Sequence, residues 1–226
     1  MRELARLIDL SMPIENHWRW PVKVETTRRT EGEGYYTQSS TVQLRAHAFT
    51  HVDAPLHFVK GGESIDEIPL TQLAGRGVVV DVSHKGVNEE ITSCDLDKKG
   101  GHVAEGDIAL LMTAWDAKVS WNDERFWTDS PYLAEDAAQW LVSRRVKAAG
   151  YDFPQDYVIR QMLGGTPSVQ AFRIHNILLP RGILNIEYLI NLHQIRAKTV
   201  QLFALPLKLV GVEGAPARVI ALEEYC

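Results

Sequence analysis

Apolar positions recur along this chain in two periods, and the switches between them divide it into strands and helices. "LARLIDLS" alternates polar and apolar residues as a first strand would, ending at Met12-Pro13. Further on, "STVQLRAHAFTHV" is rich in β-branched residues with near-alternation, and "GRGVVVDVSH" is a short apolar run bounded by glycine. The latter is the pattern of a strand buried on both faces. "GDIALLMTAW" and "KTVQLFALPLKLVGV" predict strands in the same way. In "SPYLAEDAAQWLVSRRVKAAG" apolar residues fall at helical spacing behind an early acidic pair, with Gly150 as the stop. "HNILLPRGILNIEYLINLHQIR" predicts a short apolar segment, a Pro-Arg-Gly turn and a second short helix. Ser64 and Glu67 have capping-box spacing, which predicts the start of another short helix. Strands and helices interleave, so the fold class is α/β, or α+β with a mixed sheet.

No linker-like run, internal repeat or low-complexity segment interrupts the 226 residues, so one domain is expected across 1–226. Apolar content of 45% and charged content of 23% are those of ordinary globular proteins, which argues against disorder. The net charge of −5, with both signs interspersed, disfavours a nucleic-acid partner. The longest basic cluster, Arg144-Arg145-Val146-Lys147, falls at the expected helix end, where cations complement the helix dipole. No apolar span of about 18 residues predicts a membrane crossing. "MRELARLIDLSMPI" carries charges within its apolar stretch and no small-residue cleavage site, unlike a signal peptide. Cys94 and Cys226 form no disulfide framework and no CxxC pair. These features predict a cytoplasmic protein. The absence of a Gly-x-Ser-x-Gly elbow and of a phosphate loop removes serine-hydrolase and nucleotide-binding readings.

The chemistry is concentrated in "HAFTHVDAPLHF", which packs His47, His51, Asp53 and His57 into one short segment. Thr50, Val52 and Pro55 argue against a helix there. In an extended strand all four residues would point to one side, yet His47 and His51 would lie about 13 Å apart. One ion with bonds of about 2.0–2.2 Å cannot span that distance. A shared metal therefore requires the chain to bend between Ala48 and His51. Imidazole and carboxylate ligands suit zinc, manganese, iron or nickel, and the lack of thiols argues against a structural zinc site.

The same segment resembles the signature of the cyclase-like metal-dependent hydrolases, the family of bacterial kynurenine formamidase and isatin hydrolase. Their motif runs approximately His-x-Gly-Thr-His-x-Asp-x-Pro-x-His, and Phe49 stands here at the Gly position. "HNILLPRGILNIE" matches a later His, Gly and Glu of the family at His175, Gly182 and Glu187. Trp20-Pro21 matches an early substrate-contacting Trp-Pro, with Val22-Lys23 replacing the Gly-Asp that tends to follow. "LPLKLVGVEGAPARVIAL" resembles the closing strand pair, and residues near 120–170 are the least similar part.

Carried over residue by residue, the resemblance implies that His47, His51 and Asp53 ligate a first metal, and Asp53, His175 and Glu187 a second. Zinc and manganese both suit such a set, and whether one or two ions bind stays open. On residues alone, His175 reads as a cap or surface residue and Glu187 as a solvated helix residue. His57 corresponds to the family's proton shuttle. Trp20 and Phe49 are candidates for substrate contact. His17, His84, His102 and His193 carry no assignment. The resemblance further implies a swivelling β/β/α-type fold with a small barrel-like sheet, and a homo-oligomer, a dimer or higher. The expected activity is hydrolysis of an arylformamide, lactam or lactone in a small, aromatic or cyclic substrate. A metal-dependent cyclase or lyase, and a non-catalytic small-molecule-binding protein on the same scaffold, are the alternatives.

Overall fold

The computed structural model describes residues 5–224. Leu4, at the start of the expected first strand, the opening of the "MRELARLIDLSMPI" segment, and Cys226 lie outside the described residues. Strands follow in chain order as β1 (Ala5–Asp9), β2 (Lys23–Thr30), β3 (Tyr36–Gln43), β4 (His51–Asp53), β5 (Ala74–Asp81) and β6 (Glu90–Ile91). They continue as β7 (Ile108–Met112), β8 (Tyr132–Leu133), β9 (Ala148–Tyr151), β10 (Leu184–Glu187), β11 (Thr199–Pro206) and β12 (Gly214–Glu224). Seven of them close into a barrel-like sheet in the order β12-β11-β5-β7-β9-β10-β4, and β4 pairs back onto β12. β12 is long enough to close the ring with Gly214–Pro216 and to hold β1 along its far end.

The barrel is mixed. β5, β7, β9 and β10 run parallel. Each parallel step needs a crossover, and the helices Ser93–Lys99, Glu135–Ser143 and Arg173–Leu178 lie in those connections. Strand alternation separates two cores. Val52, Leu110, Leu184, Ile186, Leu202 and Val219 pack together inside the barrel. Val80, Leu111 and Tyr151 point outward, onto a layer that includes Leu141, Phe126 and Trp127.

Four expectations are corrected. "STVQLRAHAFTHV" is not one strand: β3 ends at Gln43, a bend follows, and β4 begins at His51. β3 instead completes an antiparallel hairpin with β2 whose residues are all exposed. The helix in "SPYLAEDAAQWLVSRRVKAAG" stops at Ser143, and Gly150 lies within β9. An added Cβ at Gly150 would meet the Leu189 and Leu110 side chains at 2.8 and 2.9 Å, so this glycine serves barrel packing rather than helix termination. The expected second short helix near Glu187 is β10, because pairing with β9 and β4 overrides local propensity. Ser64 does donate its N–H to Glu67 Oε2 (2.8 Å), but the bond closes a turn, and the next helix, Leu70–Leu73, begins after Pro69.

Candidate active site

β4 and β10 are antiparallel neighbours, with Glu187 opposite His51 and Asn185 opposite Asp53. Alternation sends Val52 and Ile186 into the barrel and leaves His51, Asp53 and Glu187 together on its outer face. The bend expected before His51 is made at Phe49, whose φ of 58° is left-handed. A glycine takes this conformation without strain, which accounts for the Gly of the motif that Phe49 replaces. The turn aims the Phe49 carbonyl at His51 Nδ1 (2.8 Å), leaving Nε2 to face Asp53 Oδ1 (3.1 Å) and Glu187 Oε2 (3.7 Å). Thr50 pins the segment by donating from Oγ1 to the Tyr188 carbonyl (2.6 Å) and accepting from Met12 N–H (2.8 Å).

His47 reaches the cluster from before the bend, with Nδ1 2.7 Å from Asp53 Oδ1 and Nε2 3.2 Å from Glu213 Oε1. Gly214 leaves room for its ring, since a Cβ there would lie 2.7 Å from His47 Cε1. His175 arrives from the helix Arg173–Leu178. Its Nε2 faces Asp53 Oδ2 (3.3 Å) and Glu187 Oε1 (2.9 Å), and its Nδ1 lies 2.6 Å from Asp156 Oδ2. Asp156 also accepts Ile174 N–H at 2.9 Å, so one carboxylate caps the helix and orients the imidazole. Asp53 thus presents one oxygen to His47 and His51 and the other to His175.

The electrostatics follow from this packing. Burial alone would raise Asp53, but the His51 charge and hydrogen bonds from His175, His47 and His51 hold it well below the usual carboxylate range. Glu187 is also lowered: burial and Asp53 push it up, and His175 outweighs them. His175 is raised well above its ordinary value, against burial, by Glu187, Asp156 and Asp53. His47 is raised, against burial, chiefly by Asp53. His57 goes the other way: burial lowers it to about 4. Its ring stacks on His47 with centroids 3.9 Å apart, and its ligand atoms lie within 4.8 Å of those of His47 and Asp53.

The donor set fits a divalent cation. All donors are nitrogen or oxygen, and among the described residues no Lys or Arg is ion-paired to Asp53 or Glu187. Two carboxylates, each no more than 3% exposed, face imidazoles whose outer nitrogens are already engaged. That arrangement is typical of metal-ligating histidines.

The cluster forms the floor of a cavity of about 670 Å³. Trp20 lines it, with its ring 5.0 Å from Phe49 and 5.4 Å from Tyr188. Phe49 does not line it. Its side chain is fully buried behind Trp20, which corrects the expectation of direct substrate contact at that position. Sequence reasoning passed over Asp156, Glu213, Tyr188, Arg19 and Phe172. It also passed over Gln155, which hydrogen-bonds Glu187 Oε1. None sits in a recognisable spacing, although Glu213 falls inside the quoted closing segment. The 120–170 region, least similar to the family pattern, supplies Asp156 and a cavity wall with Ile159, Met162 and Pro167.

The family model described as "Putative cyclase" matches residues 8–155. The chain belongs to this cyclase family. A protein named kynurenine formamidase, from Salinibacter ruber, is 32% identical over 91% of this chain and 87% of its own length. Cyclase-like protein 1 of rice is 29% identical over 87% of this chain and 69% of its own. A solved structure described as a potential metal-dependent hydrolase with cyclase activity is similar with a TM-score of 0.72 and 28% identity, over 98% of this chain and 100% of that one. Isatin hydrolase A from Labrenzia aggregata has the same fold, with a TM-score of 0.82 at 22% identity over 98% of this chain and 95% of that one. The cyclase-family chain has no described helix long and apolar enough to cross a membrane.

Proposed function

We propose that this protein is a metal-dependent hydrolase that cleaves the C–N bond of an arylformamide or cyclic amide, or the C–O bond of a lactone, in a small aromatic substrate. The observation that carries this reading is the convergence of His47, His51, Asp53, His175 and Glu187 on the floor of an aromatic-walled cavity. The similarity to the Salinibacter ruber protein supports it. His47, His51 and Asp53 would hold one ion, and Asp53, His175 and Glu187 a second, with zinc or manganese as the metal. When bound, such an ion acts as a Lewis acid that polarises a carbonyl and lowers the pKa of water. The family resemblance further supports a homo-oligomer, and the cysteine usage a cytoplasmic location.

The remaining work falls to side chains. Trp20 and Tyr188 offer aromatic surface to an aryl ring beside the ligand cluster. His57 is neutral at pH 7 and has no side-chain hydrogen-bond partner among the described residues. It accepts a proton from the attacking water and delivers it to the departing nitrogen or oxygen as the tetrahedral carbon collapses. Help of this kind contributes about 10² to 10⁴ in rate. His51 and Asp53 lie one strand pleat apart on β4, both buried.

The test is elemental analysis of wild type, His51→Ala and Glu187→Ala, followed by a panel of formamides, lactams and lactones with zinc or manganese added. Metal bound by the wild type and lost from both variants, with turnover of a panel member, is expected. A wild type that takes up neither metal would sink the hydrolase reading in favour of a binding protein. Products lacking solvent oxygen would favour the cyclase or lyase.

A further inference from the structure

The cavity holds a charged side chain that the proposed hydrolysis does not use. Arg19 lines it, half-buried, with its guanidinium carbon 4.6 Å from the Trp127 ring centre and 5.6 Å from that of Trp20. Cation–π contact engages the face of a guanidinium. Its N–H donors lie in the plane and call for acceptors. The one acceptor within reach among the described residues is Met162 Sδ, 3.7 Å from Nη2, and a thioether is a weak acceptor. Three carboxylates line the cavity, Asp53, Glu187 and Glu213, and each faces imidazole instead. No ion pair to Arg19 exists among the described residues, while Arg6, Arg76, Arg173 and Arg218 each have a carboxylate.

Its position relative to the ligand cluster is defined by rings. Trp20 lies 5.4 Å from Tyr188, and Tyr188 lies 5.4 Å from His51. Trp20 and Tyr188 therefore stand between the guanidinium and the proposed metal ligands, and a substrate ring lying along this wall shares one cavity with both. We infer that Arg19 anchors a carboxylate carried by the substrate on the side of its ring away from the scissile carbonyl, which makes the enzyme selective for anionic aryl amides. Arg45, exposed on the cavity rim and without a carboxylate partner among the described residues, adds positive potential at the entrance. The pre-stacked guanidinium loses little freedom on binding, and its fork matches a carboxylate with two parallel hydrogen bonds.

This inference rests on the hydrolase reading for its substrate class, and two readouts keep the two apart. Formanilide and the 2-, 3- and 4-formamidobenzoates, each acid with its methyl ester, are assayed with metal-loaded wild type, Arg19→Met and Arg19→Lys. Wild type is expected to prefer at least one acid over its ester by about 10- to 100-fold in kcat/KM, mainly through KM. Arg19→Met brings that ratio close to one, and Arg19→Lys keeps an intermediate value. A ratio near one for every isomer in wild type, or the same preference in Arg19→Met, overturns the assignment while leaving the hydrolase reading intact. Binding of the same acids and esters is followed by tryptophan fluorescence, which the stacking of Arg19 on Trp20 and Trp127 makes sensitive to this end of the cavity. If wild type hydrolyses none of these formamides, the arylformamide branch of the hydrolase reading falls and the titration decides Arg19 alone. Tighter binding of acid than ester, lost in Arg19→Met, supports the anchor, and equal binding in both proteins refutes it.

Discussion

Glu187 stands directly across the sheet from His51, in the antiparallel register of β10 with β4, and the two side chains end 3.7 Å apart. A slip of β10 by one residue in that register would turn Glu187 into the barrel interior and away from His51, since the side-chain period of a strand is two. The pairing that closes the barrel is therefore the same pairing that assembles the candidate metal centre. Thr50, bonded to the Tyr188 carbonyl, locks it from one side.

Asp156 orients His175 without facing the ligand cluster itself. Asp156→Asn is expected to weaken metal binding by about 10- to 100-fold, because the imidazole loses a charged acceptor at Nδ1. Helix capping survives, since the amide oxygen still accepts Ile174 N–H. Competition against a chelator measures the change, and an affinity equal to wild type would remove Asp156 from this role.

Phe49 sets backbone strain against burial. Phe49→Gly relieves a left-handed conformation worth about 1–2 kcal/mol and removes a fully buried ring worth about 3–5 kcal/mol. The expected result is a net loss of about 1–4 kcal/mol in urea unfolding. Any shift in substrate preference would act through Trp20, which rests on the ring. A more stable variant would show that the strain outweighs the packing.

Metal binding is expected to release protons. His47 and His175 hold theirs more tightly than ordinary histidines because Asp53, Glu187 and Asp156 face them. A cation must displace those protons, so affinity rises with pH above about 6.5. In the metal-free protein the stabilisation from these raised pKa values is present below about pH 6.5 and fades as pH climbs through the folded values. Calorimetry in buffers of different ionisation enthalpy checks this. Heats independent of buffer would contradict it.

His57 should produce the opposite pH signature. Its folded pKa, lowered by burial to about 4, lies below the unfolded value of about 6.5. Between these values the unfolded chain binds a proton that the folded one does not, so the His57 contribution to stability falls as pH drops through that window. His57→Gln removes this contribution. In metal-free protein, its Tm relative to wild type is expected to climb as pH is taken from about 6.5 to about 4. A constant difference across the window would show that burial does not govern His57.

What was legible in the sequence had local causes. The strands at Ala74–Asp81 and Ile108–Met112 were visible because a continuous apolar run reports burial directly, and Thr199–Pro206 because its apolar and polar positions nearly alternate. The His47 to His57 segment was visible because its spacing is dense. β9 and β10 were not, since "AAGY" and "LNIE" are too short for a period and became strands only by pairing with neighbours far along the chain.

The sequence by itself determined the mixed α/β class, the family, the kind of ligands and the need for a bend before His51, because residue type and local spacing encode these. Tertiary structure alone decided that Glu187 is a buried strand residue opposite His51, that Asp156 fixes the His175 ring, that Phe49 packs behind Trp20, and that Arg19 sits in the cavity without a carboxylate. The first depends on barrel closure, which brings together residues more than a hundred positions apart, and the others on how the connections pack around that barrel. No local pattern records where such a closure places a side chain.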